Sequence, residues 1–319
     1  MSAEASPQGL LVVLVTALDE KRRTDRKGQR AVARAGASAG DALVVGGSVG
    51  EGAYLPDEEL VAAVESSVEG GGGRPVWAGI LRSGTVAAKK LARACAAAGA
   101  TGLLVGLPQT FGIPLEQEKD HLRRVRDAAD RPLLYYHYPD TFHAERRPEE
   151  LVEILSLPGV VGLKDTTMPL ATVRKRLKVV SGHGSYFPGS TLLWPEALEA
   201  GAAGAICPIP LLEPSIWNLL PAFHRGDPVE VRATRKRLTW TLPILSGKGL
   251  PAAIQDRGLR AAGKLGLTVS AAGSPIARIK EALGLLGLPI SSRVSPPLPP
   301  LSEAEASLVH RAVQQSGRI

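Results

Sequence analysis

Short apolar, β-branched runs alternate with longer helical patterns as far as about residue 207, and this alternation limits the fold more than any other feature. Strands are predicted at Leu10–Thr16, Ala42–Val45, Pro75–Ile80, Gly102–Leu107, Pro132–Tyr136, Val160–Lys164, Ser185–Phe187 and Gly204–Cys207. Helical periodicity covers Thr24–Ala39, Pro56–Glu69, Thr85–Ala98, Leu115–Ala129, Pro148–Leu155, Met168–Lys178 and Leu192–Ala200, with a further helix from Pro214. The strands are almost uninterrupted apolar runs, as a parallel sheet buried on both faces requires. Eight such units at a spacing of roughly 30 residues describe an α/β fold of the (β/α)₈ TIM-barrel type better than an open doubly wound sheet. The alternation ends near Cys207, and the rest reads as helical with a Pro-rich break at Pro296-Pro297 and Pro299-Pro300. The expected organisation is a catalytic barrel over residues 1–225 and a small C-terminal helical appendage over 226–319.

With 44% hydrophobic and 22% charged residues, the 319-residue chain can bury a large core. Its 38 Lys and Arg against 31 Asp and Glu leave a net charge of +7. That excess permits nucleic-acid binding only where it is focused. The basic runs Arg123-Arg124, Arg174-Lys175-Arg176 and Arg232 with Arg235-Lys236-Arg237 lie on helical stretches without interleaved aromatics. They read as solvated helix faces, so no nucleic-acid partner is expected. Cys95 and Cys207 lie among apolar residues with no metal-type spacing, which suits buried thiols in a reducing cytoplasm and no metal site. The N-terminus has no signal-peptide pattern, and no apolar run approaches the roughly 20 residues that span a bilayer, so no membrane partner is expected.

Functional side chains of such a barrel stand at the C-terminal ends of its strands. Lys164 ends the run Val160–Lys164; a lysine at the end of a buried strand is costly to keep charged, and the neutral amine is a nucleophile toward carbonyls. From position alone, a lysine that reaches up to the barrel rim is an equal alternative. The chain has only five tyrosines, and three of them, Tyr135, Tyr136 and Tyr138, fall within four consecutive positions. Tyr136 ends the strand before the one that carries Lys164, where its phenol can move protons to and from an imine. Tyr135 and Tyr138 read as packing, and His137 points to the opposite side of the strand in a structural role. After the second strand comes Gly46-Gly47-Ser48-Val49-Gly50-Glu51-Gly52. A turn of this kind gathers backbone N–H groups into a concavity that suits a carboxylate, and Ser48 adds a hydroxyl. A strand-end lysine, a strand-end tyrosine and an anion nest on one barrel face suit a 2-keto acid held as a Schiff base.

That constellation resembles the dihydrodipicolinate synthase / N-acetylneuraminate lyase family of class I pyruvate-dependent aldolase barrels, over nearly the whole chain from about Gly9. Gly47-Ser48-Val49-Gly50-Glu51 is similar to the family's G-[TS]-T-G-E carboxylate loop, and Leu134 to Pro139 to its Y-N-x-P segment. Val161-Gly162-Leu163-Lys164-Asp165 is similar to V-G-[IV]-K-[DE], Gly201 to Ile206 to G-x-x-G-x-I-S, and Ile279 to Leu298 to the family's tail. The resemblance implies Lys164 as the Schiff-base lysine and Tyr136 as the proton relay. It implies Gly47, Ser48, Val49, Thr110, Gly189, Ser190 and Ile206 as substrate-binding positions. It also implies a cofactor-free reaction through a covalent imine, a 2-keto acid substrate with an aldehyde as the other reactant, and a homo-oligomer, a dimer or tetramer.

Departures from the family pattern bear on the substrate. Val49 replaces the second threonine of the carboxylate loop. Gln109 and Thr110 replace the aromatic pair from which the synthase supplies a relay tyrosine to a neighbouring subunit. Asp140-Thr141-Phe142 stand where the synthase has its substrate-carboxylate arginine, and His137 replaces the asparagine. A stretch at Gly247–Ser274 also looks inserted. The expectation is a Schiff-base lyase for a 2-keto acid. Dihydrodipicolinate synthase is the alternative, and a non-catalytic binding or regulatory barrel a second one.

Overall fold

The computed structural model describes residues 7–143, 145–167, 169–189, 194–249, 254–255, 257–258, 261–262 and 274–319. Eight strands, β1 (Gly9–Val13), β2 (Ala42–Val45), β3 (Val76–Leu81), β4 (Gly102–Gly106), β5 (Leu133–His137), β6 (Val160–Asp165), β7 (Ser185–Pro188) and β8 (Gly204–Cys207), form one parallel sheet. Its order is β7-β6-β5-β4-β3-β2-β1-β8, and the Ala203 N–H donates to the Tyr186 carbonyl at 3.0 Å across the remaining seam. The helices between strands are α1 (Arg26–Ala37), α2 (Asp57–Gly70), α3 (Thr85–Ala97), α4 (Leu115–Ala129), α5 (Pro139–Phe142), α6 (Pro148–Leu155), α7 (Leu170–Val180) and α8 (Trp194–Glu199). This is the expected (β/α)₈ TIM barrel, followed by C-terminal helices.

Local chemistry sets several boundaries. Asp25 caps α1 by accepting from the N–H groups of Lys27 and Gly28. Pro169, in an extended conformation, holds the start of α7 to Leu170. Periodicity did not anticipate the single turn α5 or the helix Ile209–Leu212 after β8, four residues being too few to show a repeat.

Strand side chains alternate between two apolar layers. Leu43, Val45, Leu103, Val105, Leu133 and Tyr135 face the helices. Leu11, Val13, Val44, Trp77, Leu104, Leu134, Tyr136, Phe187 and Ile206 fill the barrel. Along β5 and β6 the pairing runs Leu133 with Val160, then Leu134 with Gly162, so Val161 is an extra residue. This bulge inverts the inside–outside phase of β6, and the pairing of Tyr136 with Lys164 follows from it.

The 225/226 division lies in the turn between the helices Leu219–His224 and Pro228–Leu238. The later helices Ile276–Leu285 and Glu303–Gln315 bury Ile279, Ala282, Leu283, Val309, Ala312 and Val313 in the same layer that α1 and α2 cover. Most of the stretch 247–274 lies outside the described residues.

Gly79 of β3 shows how closely the barrel backbone meets the loop after β2. A Cβ there would lie 2.1 Å from the Gly46 carbonyl oxygen and 2.8 Å from the Gly47 nitrogen. Neither neighbour is a side chain that can swing away. Gly79→Ala is expected to destabilise the protein by about 2 kcal/mol or more, read as a lower denaturation midpoint.

Candidate active site

Lys164 and Tyr136 meet inside the C-terminal end of the barrel. They are register partners across β5 and β6, and the Lys164 Nζ stands 4.2 Å from the centre of the Tyr136 ring. Both are buried, at 6% and 2% exposure. Burial lowers the Lys164 amine to about 8, against smaller opposing effects of Cys207 and Tyr138. The π face of Tyr136 is a weak ligand for an ammonium and does not replace the lost water. Burial pushes the Tyr136 phenol up, so it stays protonated and able to donate, while its bond to Ser48 pulls the other way.

The Ser48 and Tyr136 hydroxyls share a 3.0 Å hydrogen bond, which joins the glycine-rich loop to this pair. The loop is tightly wound. Gly46 has φ +73 and Glu51 φ +60, the Gly52 N–H donates to the Gly47 carbonyl at 3.1 Å, and the Thr16 hydroxyl donates to the Gly50 carbonyl at 2.8 Å. Arg82, which ion-pairs with Asp57 at 3.0 Å, holds the Gly52 and Leu55 carbonyls. The N–H groups of Ser48 and Val49 find no acceptor among the described residues. Two open amides beside a hydroxyl are an arrangement that receives a carboxylate.

Ile206 points into the same interior cluster as Tyr136, and the half-buried Val49 packs against that cluster. Gly47 is buried beside Val13, and the Gly189 N–H donates to the Asp165 carbonyl at 2.7 Å. Lys164, Tyr136, Gly47, Ser48, Val49, Gly189 and Ile206 thus share one end of the barrel. Thr110 stands apart in the loop after β4. It is exposed, beside Phe111 at 82% exposure, and no hydrogen bond ties it to Ser48 or Tyr136. Ser190 lies outside the described residues.

Tyr138 stacks on Tyr136 with ring centres 5.7 Å apart, and Phe142 meets both rings edge-on. On the outer face of the strands, Asp165 accepts from His137 Nδ1 at 3.1 Å, Arg176 at 2.9 Å, the Tyr186 hydroxyl at 2.6 Å and the Thr167 N–H at 3.0 Å. Burial alone would raise the Asp165 carboxyl; the donors from His137, Arg176 and Tyr186 reverse the sign and hold it well below the usual carboxylate range. His137 does face away from Tyr136, as its strand position implies. Tyr135 is more than packing, since its hydroxyl donates to Glu118 at 3.0 Å, and Glu118 in turn pairs with Arg146 at 2.7 Å. Arg176 is not part of a solvated basic face. It is 2% exposed and spans Asp165, Thr167 and Glu145. Its place on the stripe with Val173, Leu177 and Val180 is the signal that could have revealed this.

Barrel and site together have the form of an imine-forming barrel of the class I aldolase kind. The chain belongs to the Dihydrodipicolinate synthetase family, whose profile matches residues 6–278. It is 29% identical over 270 residues to 4-hydroxy-tetrahydrodipicolinate synthase 1 of Streptomyces coelicolor, covering 83% of this chain and 87% of that protein. It is 31% identical over 222 residues to 4-hydroxy-tetrahydrodipicolinate synthase of Mycobacterium leprae, covering 68% and 73%. Among solved structures, YagE of E. coli K12, a prophage protein of the dihydrodipicolinic acid synthase family in complex with pyruvate, superposes with a TM-score of 0.83. That superposition covers 99% of this chain and 100% of YagE at 22% identity. Wild-type sialic acid aldolase of Ruminococcus gnavus superposes with a TM-score of 0.82 over 97% of both chains at 20% identity. At such identities the likeness establishes the fold.

Two measurements test the electrostatics. Titration of Lys164, followed by NMR after selective labelling, is expected to give a midpoint near 8 in place of the ordinary 10.5. Asp165→Asn leaves buried Arg176 without its inner counter-charge, and a destabilisation of about 3 kcal/mol or more is expected in chemical denaturation.

Proposed function

We propose that this protein is a class I Schiff-base lyase that cleaves, condenses or dehydrates a 2-keto acid through an imine on Lys164. The observation that carries the reading is the buried Lys164 amine over the Tyr136 ring, with the Tyr136 hydroxyl bonded to Ser48 at 3.0 Å. With its amine lowered to about 8, Lys164 is partly neutral near pH 7 and can attack the ketone carbon. The carbonyl oxygen leaves as water and the nitrogen lone pair completes the C=N bond. In cleavage the protonated imine accepts the electron pair of the C–C bond broken beta to it, giving an enamine and an aldehyde, and condensation runs the same steps in reverse. In dehydration it accepts the pair of the adjacent C–H bond, and the enamine then expels the beta hydroxyl as water. Tyr136 donates and recovers the protons, with Ser48 as its relay. The Ser48 and Val49 amides and the Ser48 hydroxyl hold the substrate carboxylate, while Gly47, Gly189 and Ile206 shape the pocket; the family resemblance assigns Ser190 a substrate-binding role as well. The lysine itself is the electrophilic catalyst, so the reading requires no external cofactor.

The names of the Streptomyces coelicolor and Mycobacterium leprae relatives favour a second reading, 4-hydroxy-tetrahydrodipicolinate synthase. Val49, Thr110 and the Asp140-Thr141-Phe142 stretch weigh against it, because each removes a polar group that the synthase pattern carries. The family resemblance also supports a homo-oligomer, with Thr110 at a subunit boundary. The described helices within residues 226–319 then serve as an appendage to the catalytic barrel. Among the described residues no helix is long and apolar enough to cross a membrane. Cys95 is a buried free thiol, which supports a reducing, cytoplasmic location.

Borohydride reduction in the presence of pyruvate is expected to leave a mass adduct on Lys164, and Lys164→Ala to stay folded without it. Absence of an adduct with pyruvate and a panel of other 2-keto acids would return the chain to the non-catalytic reading. With an adduct in hand, aspartate semialdehyde assayed against sugar-derived and aromatic substrates separates the synthase from another lyase. Tyr136→Phe is expected to lower turnover by about 10²-fold or more while the adduct still forms.

A further inference from the structure

Glu51 and Lys280 are both fully buried, lie 229 residues apart, and form an ion pair. The other Glu51 oxygen accepts the Ser295 N–H, and Lys280 also donates to the Arg293 carbonyl. Among the described residues, the side-chain hydrogen bonds of the pair thus join the glycine-rich loop to the C-terminal segment 280–295. Glu51 holds a left-handed backbone conformation, which a non-glycine residue keeps only where its surroundings over-determine it. Its carbonyl accepts from the Tyr54 and Leu55 N–H groups at 2.8 and 3.0 Å. Three residues earlier stand Ser48, bonded to Tyr136, and the open amides of Ser48 and Val49.

A buried ion pair is a poor means of stabilising a fold, since apolar residues of equal volume often do as well. Its distinctive property is that it admits one geometry. We infer that the Glu51–Lys280 pair is a positioning device for the substrate carboxylate, tying the 46–52 loop to the C-terminal segment so that the Ser48 and Val49 amides converge on one point. This rests on the Schiff-base reading above. Neither residue touches the reacting atoms; both act through the loop.

The test compares two ketones that form the same imine, pyruvate and acetone, of which only pyruvate carries a carboxylate. In Lys280→Met, the pyruvate concentration for half-maximal borohydride trapping at Lys164 is expected to rise about tenfold, with the plateau rate kept within about threefold. Half-saturation by acetone is expected to stay within about twofold, and Lys280→Arg to recover most of the pyruvate affinity. A folded Lys280→Met with unmoved pyruvate half-saturation overturns the inference, as does an equal rise for both ketones. If Lys280→Met does not fold, the near-isosteric Glu51→Gln takes its place. It keeps an acceptor for the Ser295 N–H and lets Lys280 shed its proton. A smaller rise for pyruvate alone is expected there, and no rise overturns the inference. A wild-type protein that traps neither ketone defeats the Schiff-base reading and this inference with it.

Discussion

The single-residue slip between β5 and β6 is the constraint on which the rest of the site depends. Strand side chains alternate strictly, so one extra residue decides which of two neighbours faces the barrel interior. With Val161 bulged out of the pairing, Lys164 turns inward opposite Tyr136 and Asp165 turns outward toward α7. Without it the amine would face the helices and the carboxylate the pocket. The nucleophile and its structural anchor are thus assigned by backbone register, and the side chains follow.

The two sides of β6 then follow opposite electrostatic rules. Outside, Asp165 is surrounded by donors from His137, Arg176, Tyr186 and Thr167, and every buried charge there has a partner. Inside, Lys164 has an aromatic ring and apolar neighbours but no ion-pair partner among the described residues, so burial acts on it almost unopposed. The fully paired outer layer makes a rigid mount. A strand held that firmly can keep an amine without an ion-pair partner in a buried site without rearranging to relieve it.

The strand pattern was legible because parallel strands buried on both faces leave long apolar runs, and Ala42–Val45 and Gly204–Cys207 came out at their observed bounds. Lys164, Tyr136 and the 46–52 loop were legible because strand-end position in a barrel is itself a functional signal. Arg176 was not, since a basic triplet on a helix looks solvated until its apolar stripe is followed. Glu51 with Lys280 was not, because nothing local in either segment announces a partner 229 residues away. Phe142 was missed as part of the aromatic group because one helical turn folds it back over Gly106. Thr110 follows a different logic: its expected role involves a second subunit, and within one chain it faces solvent.

The barrel closes unevenly. Seven of its boundaries are parallel ladders, while β7 and β8 meet at the Ala203–Tyr186 backbone bond. A closed sheet shares strain around its circumference, so thermal opening begins where the fewest bonds must break together. Native-state amide exchange should therefore start at this seam, with β7 and β8 losing protection before β3 to β5. The seam adjoins β6 on one side and β1 on the other. The strands at the seam carry Phe187 and Ile206 into the barrel interior, while Tyr136 and Lys164 pair across the β5–β6 ladder away from it. The least firmly tied boundary of the barrel thus belongs to the pocket wall, and the ladder that sets the reactive pair is a different one.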